Sequence, residues 1–316
     1  MVTEFVLQNM ASNKAVKFGQ DIDCDYLYQS GGLDWGNIPA SHHVYNYPDQ
    51  IGSTFSSSKI NERDISIEGY VYYILSDNER VMYRREQWAE YGYGKIKEKK
   101  KLLNELINPL DDIRLTIGEY YIEGKPSATV QYGTTEEENN VYFCEFLISI
   151  YCANPTFRKL TDVITVLSGD TGAFHFPMVI PPTGLIFGAR KSYLMLAVQN
   201  DGDVEVGGKI TISAKGNVSN PEIENVINGQ KLRINKSMSA GETIVINTED
   251  GSGRGVIGGT SEPYSSYLQY WDFTYNDWIK FEPGTSLIGY SSSSSSESLM
   301  EVSIQMNPAK FGLEEM

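Results

Sequence analysis

The stretch Asn200–Gly251, NDGDVEVGGKITISAKGNVSNPEIENVINGQKLRINKSMSAGETIVINTEDG, decides the fold. It reads as short strands separated by turns. Asn200-Asp201-Gly202 and Gly207-Gly208 mark turns, because Asn and Gly enter positive φ at low cost. Between the turns, apolar residues fall on alternate positions: Ile210, Ile212 and Ala214, then Leu232 and Ile234, then Ile244 and Ile246. A period of two places one face in a core and the other in water. No helical period occurs in the stretch, so it is expected to be part of an antiparallel β-sandwich.

Working outward, the pattern recurs at both ends of the chain. In 299–306, Met300, Val302, Ile304 and Met306 are expected inward, with Glu301, Ser303 and Gln305 outward. Ser291–Ser296 reads as the flexible loop tip before it. Upstream, Val141–Cys152 carries the strongest strand signal, with Tyr142, Cys144, Phe146, Ile148, Ile150 and Cys152 on one face. Ile60–Ile74 is expected to be a long strand with Ile65, Ile67, Val71 and Tyr73 inward and a bulge at Gly69. Residues 3–8 and 14–18 suggest an opening hairpin across Ala11-Ser12-Asn13. Residues 19–58 read as one irregular interaction loop, and 155–192 as a linker punctuated by Pro177, Pro181, Pro182, Gly184 and Gly188.

One helical block interrupts the strands, over about 78–110. Ser76-Asp77 suits its start. Ile96, Leu103, Leu106 and Leu110 repeat at helical spacing, while Lys95, Lys97, Lys99, Lys100 and Lys101 are expected on a solvated outer arc. Gly92 and Gly94 are expected to divide it, and Pro109 to end it.

The chain has 316 residues, enough for two domains with cores of their own. It is 41% hydrophobic, 21% charged and rich in Tyr (21) and Gly (29), the make-up of a folded β-rich chain. A net charge of −15 repels phosphate and anionic lipid, which argues against groove binding to nucleic acid and docking on acidic membranes. Cys24, Cys144 and Cys152 are odd in number and lack metal-ligand spacing, so three buried thiols are expected. No basic-then-apolar leader and no run of about 18 apolar residues is present.

Motifs that match catalytic or metal patterns fail their context. Gly253-x-Gly255-x-x-Gly258 opens no helix and runs into Glu262-Pro263, so it reads as a glycine-rich hairpin. Asp21, Asp23 and Asp25 have the spacing of a calcium loop, but Tyr26 stands where that loop needs Gly and Gly32 where it needs Glu. His42-His43 point to opposite faces of any strand, and His175 is the only other histidine. Ser56-x-x-Lys59 lies on an expected strand edge. The reading therefore assigns no catalytic, cofactor or metal site. Aromatic residues crowd 264–278. Exposed Trp and Tyr stack on sugars and anchor interfaces, which makes Trp271, Tyr275 and Trp278 candidates for contact with a saccharide or a partner.

The motifs in order resemble the distal tail protein (Dit) family of long-tailed phages infecting Gram-positive bacteria. In the first half these are Ile60-Asn-Glu-Arg63-Asp-Ile65-Ser-Ile67-Glu-Gly69, Leu102-Leu103 leading to Asn108-Pro109, Gly118-Glu-Tyr120-Tyr121-Ile122-x-Gly124, and Phe143–Tyr151 followed by Asn154-Pro155-x-Phe157. In the second half they are Asn200-x-Gly202, Asn220-Pro221-x-Ile223-x-Asn225, Gly241-Glu-Thr-Ile244-Val-Ile246-x-Thr248 and Phe281-x-Pro283-Gly284-x-x-x-Ile288. The resemblance implies a mainly β protein of two domains. Residues 1–162 would be a ring-forming belt, a β-sandwich with one helix, and 163–316 an outward-facing galectin-like or carbohydrate-module-like β-sandwich. It implies a non-enzymatic baseplate hub at the distal end of the virion tail, made in the host bacterial cytoplasm. Six copies would form a ring joining the tail tube protein to the tail-associated tip protein and receptor-binding components, with DNA only in transit and no cofactor. The alternative is a carbohydrate-binding module acting in adhesion to host cell-wall saccharide. The Lys-rich helical block is long for this family.

Overall fold

In the computed structural model the described residues are 4–21, 23–82, 84–140, 142–166, 168–172, 188–192, 195–251, 253–294 and 296–313. Pro177, Pro181, Pro182, Gly184, His175 and Tyr193 lie outside them. The chain divides into two compact units. One runs to Leu160 and regains the chain from Phe311 onward; the other is Thr161–Lys310.

The N-terminal unit contains β1 (Glu4–Asn9), β2 (Ala15–Gly19), β3 (Tyr26–Asp34), β4 (Ala40–Tyr45), β5 (Thr54–Ile60), β6 (Arg63–Tyr72), the short helix α1 (Asp77–Met82), the long helix α2 (Trp88–Leu106), β7 (Ile113–Ile117), β8 (Tyr120–Pro126), β9 (Gln131–Tyr132), β10 (Phe143–Cys152) and β11 (Phe157–Lys159). All these strands except β4 and β5 share one sheet, in the order β11-β8-β7-β1-β2-β3-β6-β10-β9. The sheet curls until β8 also pairs with β10, through Ile150↔Pro126 and Tyr151↔Lys125. The two faces of the expected sandwich are thus parts of one continuous sheet.

Alternation explains what fills it. Cys144, Phe146, Ile148, Ile150 and Cys152 of β10 are buried, as are Ile65, Ile67 and Val71 of β6. Phe5 and Phe18 stack with centroids 5.0 Å apart, and Tyr26 and Phe146 complete the aromatic cluster. α2 closes the core with Ile96, Leu103 and Leu106. Tyr142 was expected inward but precedes β10 and is exposed, and Leu110 lies past the helix end and is exposed.

Two further expectations are corrected. Gly69 makes no bulge; its register with Phe146 is regular, and the irregularity falls in β3 between Tyr28 and Leu33. Glycine is needed there because a Cβ would sit 2.2 Å from the Leu27 carbonyl oxygen and 2.7 Å from the Phe146 ring. α2 runs unbroken through Gly92 and Gly94, and the separation from α1 falls earlier, between Met82 and Trp88. The start of α1 is capped as expected: the Glu79 amide donates to Ser76 Oγ, and Glu79 Oε2 accepts the Ser76 amide at 2.9 Å.

The C-terminal unit is a sandwich of two antiparallel sheets. One has the order Val163–Val166, Met300–Met306, Gly208–Ala214, Thr243–Asn247, Gly255–Gly259, Ser265–Ser266. The other is Met195–Asn200, Gly284–Ser292, Pro221–Asn225, Lys231–Arg233. Ile210, Ile212, Ala214, Leu232, Ile234, Ile244 and Ile246 are all buried in one core with Met300, Val302, Ile304 and Met306. Asn200 does more than turn the chain: buried, it donates to the Val204 and Phe281 carbonyls and accepts the Gly202 amide. The described part of the expected linker 155–192 is largely strand: Phe157–Lys159, Val163–Val166, and Ser168–Gly172 paired with Gly188–Ser192. Ser291 and Ser292 end a strand, and Glu297 accepts the Ser292 amide at 2.9 Å.

Candidate interaction surfaces

Residues 19–58 hold the first candidate surface. Where an irregular loop was expected, β4 and β5 form a hairpin that pairs only with itself. Every residue of β4 is exposed, and so is all of β5 after Thr54. Val44, Tyr45, Phe55 and Ile60 are exposed on its strands, and Ile51 at its tip is 102% exposed. The tip has a fixed shape of its own. The Gln50 amide donates to the Tyr47 carbonyl at 3.2 Å, the Gln50 side chain donates to Thr54 Oγ1 at 2.8 Å, and the Tyr45 and Tyr47 rings meet edge to face at 5.0 Å. Asp49 and Gly52 take positive φ to complete the turn. An isolated two-stranded hairpin is marginal in water and its bare apolar face is unfavourable there. Sequence reasoning missed the arm because alternation marks a strand only when one face is buried, and this arm buries neither. His42 and His43 lie on it; His42 Nδ1 is 2.8 Å from Ser58 Oγ. Ser56 and Lys59 lie on the exposed β5.

The Lys-rich helix face is less solvated than expected. Lys99 is half-buried and donates to the Asp25 carbonyl at 2.8 Å, with its ammonium 4.8 Å from the Tyr72 ring centroid. Burial lowers its pKa. Lys100 lies against the Tyr132 ring and reaches Asn139. Lys95 pairs with Glu98, and Lys101 with Glu105. Asp25 Oδ2 accepts the Lys17 amide at 2.8 Å.

At the head of α1 sits a polar lock. Glu79 accepts the hydroxyls of Tyr73 at 2.5 Å and Tyr91 at 2.9 Å. The Tyr73 hydroxyl, with the Ser76 and Tyr91 donors, holds its carboxyl down to about 2.

In the second unit the aromatic segment divides between core and surface. Trp271 is 5% exposed and stacks on the half-buried Trp278 at 4.4 Å, so both belong to the core wall. Tyr275 stands at the surface; Arg233 covers one ring face at 4.5 Å, and its hydroxyl donates to Glu222 at 3.1 Å. Phe273 beside it is 70% exposed. Lys236 and Glu242 form a mostly buried ion pair at 2.6 Å. Burial would raise the Glu242 pKa, but Lys236, the Ser239 amide and the Tyr267 hydroxyl outweigh it and lower it. Gly255 and Gly258 lie in the strand Gly255–Gly259, with Gly258 under the Tyr267 ring.

Cys24, Cys144 and Cys152 are free and buried, as expected. Among the described residues no group of three or more His, Cys, Asp or Glu side chains is placed to hold a metal ion, and no helix is long and apolar enough to cross a membrane.

Residues 201–305, most of the sandwich just described, match the family model of the siphovirus-type tail component, C-terminal domain. The resemblance to the distal tail protein family read from the motifs is thereby borne out. No curated protein matches the sequence. Among solved structures, the chain shares its fold with SPP1 Dit, described as a paradigm of the hub adsorption apparatus in phages infecting Gram-positive bacteria: TM-score 0.61, 10% identity, 96% of this chain and 98% of that one covered. The baseplate of phage P2 in its Ca-activated conformation gives a TM-score of 0.41 at 12% identity, covering 97% and 98%.

Proposed function

We propose that this protein is a structural hub of a phage tail tip, without catalytic activity, located at the distal end of the virion tail. Copies of the N-terminal unit close into a homohexameric ring between the tail tube protein and the tail-associated tip protein, with a passage for DNA. The galectin-like C-terminal unit faces outward and holds receptor-binding or other baseplate components. The domains expected at 1–162 and 163–316 carry these two roles.

The observation that carries this reading is the β4–β5 arm, an ordered hairpin with an apolar surface left bare by its own chain. Such a surface suits continuous burial in an assembly. The negative charge fits a passage that DNA slides through without sticking. Mass photometry and negative-stain imaging of the purified chain are expected to give six-membered rings with a central hole. A protein that stays monomeric at high concentration and is missing from tail preparations overturns the reading.

Exposed Phe273 and Tyr275 support a second role, contact with a cell-wall saccharide. It predicts binding lost in Tyr275→Ala while the fold is kept; no binding to any wall glycan by the folded protein removes it.

A further inference from the structure

A groove of about 430 Å³ lies between β2 and α2, walled by Val16, Tyr26, Leu102 and Leu106. Leu102 on its lip is 53% exposed. Lys14 and Lys99 stand beside it, and they differ in their partners. Lys14 is paired with Glu105 at 2.6 Å, whereas Lys99 donates a hydrogen bond to the Asp25 backbone carbonyl. The groove therefore offers an apolar slot whose cation Lys99 is hydrogen-bonded to a backbone carbonyl, with Asp25 also on its lining. The same chain carries the complement. The tip of the β4–β5 arm presents Ile51, and Asp49 lies two residues away on the same turn.

The geometry points to a docking of the arm tip of one copy in the β2–α2 groove of a second copy, with Ile51 in the slot and Asp49 reaching Lys99. This rests on the ring reading above and adds its contact. Strands of six and seven residues give the arm a reach of about 20 Å, enough to cross a subunit boundary. The tip is held by its own hydrogen bonds, so little order has to be imposed on docking. Knob and slot are built from different residues of the chain, so the contact is head-to-tail. Such contacts generate rings when the rotation closes.

The test uses the full chain with Ile51→Cys and Leu102→Cys together, oxidised and run on a non-reducing gel beside each single variant. A ladder of linked copies ending in a closed ring is expected from the double variant only; the native thiols are buried. Ile51→Asp and Leu102→Asp change exposed positions, so folding is expected to be unaltered by circular dichroism. Each should weaken association by about 30-fold or more per contact, the loss of one buried aliphatic side chain. Asp49→Lys should weaken it most at low salt, where the like-charge repulsion from Lys99 is least screened. A wild-type ring that survives Leu102→Asp and gives no linked copies overturns the placement of the tip and leaves the ring reading standing. An oxidised product that stays monomeric, linked within one chain, also overturns it. A wild-type chain that never associates overturns both.

Discussion

Two glycines in the N-terminal unit should answer the same substitution with opposite signs. At Gly69, in the middle of β6, an added Cβ would lie 2.2 Å from the Leu27 carbonyl oxygen, 2.7 Å from the Phe146 ring and 3.0 Å from the Tyr28 Cα. Two of these are backbone atoms of the neighbouring strand, so relief requires β3 to move off β6 by about 1 Å, against a strand spacing of about 4.8 Å. Overpacking commonly costs about 1–3 kcal/mol. With rigid neighbours, Gly69→Ala belongs at the upper end, about 3 kcal/mol. At Gly94, inside α2, a Cβ meets nothing within 4 Å. There alanine removes the entropic penalty of glycine in a helix, and the unit should gain about 0.5–1 kcal/mol. For a unit of this size these become a fall of about 6–12 °C and a rise of about 1–4 °C in Tm. Scanning calorimetry of the full chain measures the shifts, and hydrogen exchange assigns the transition to the N-terminal unit. A Gly69→Ala variant within 1 kcal/mol of wild type would refute the close-approach reasoning. A destabilised Gly94→Ala would refute the claim that this glycine is spare.

Glu79, whose carboxyl is held down to about 2 mainly by the Tyr73 hydroxyl, has a folded pKa below its unfolded one. Its contribution is therefore complete above about 4.5 and is lost as pH falls toward 2. Glu79→Gln should flatten the acid limb of the N-terminal stability curve, and an unchanged limb would show the lock to be idle. Lys236→Met should destabilise the C-terminal unit by about 2–4 kcal/mol, because Glu242 is left nearly buried without its cation; urea titration reads it, and a change under 1 kcal/mol counts against the pair. Trp271→Ala should cost about 3–5 kcal/mol through the cavity beside Trp278, while Phe273→Ala should stay within about 0.5 kcal/mol. Similar costs for the two would contradict the division of the segment into core and surface.

The pattern of residues determined a good deal alone. Alternation named the buried faces of Gly208–Ala214, Thr243–Asn247, Met300–Met306 and most of Phe143–Cys152, because a strand with one face in a core must alternate. The seven apolar positions of the Asn200–Gly251 stretch are all in the sandwich core. Motif order also pointed to the family whose C-terminal domain model matches 201–305. The tertiary structure decided everything that depends on what lies across from a residue. A bulge and a close approach both call for glycine, so only the neighbouring strand shows that Gly69 is the second kind. Lysines on a helix look alike until the sheet beneath draws Lys99 inward between aromatic rings and leaves Lys97 outside. Trp271 and Phe273 are both aromatic, but the fold buries one and exposes the other. The arm at Ala40–Ile60 left no period in the sequence, since a hairpin with both faces in solvent places no apolar demand on either. The surface that carries the proposed ring contact was therefore the one the pattern of residues marked least.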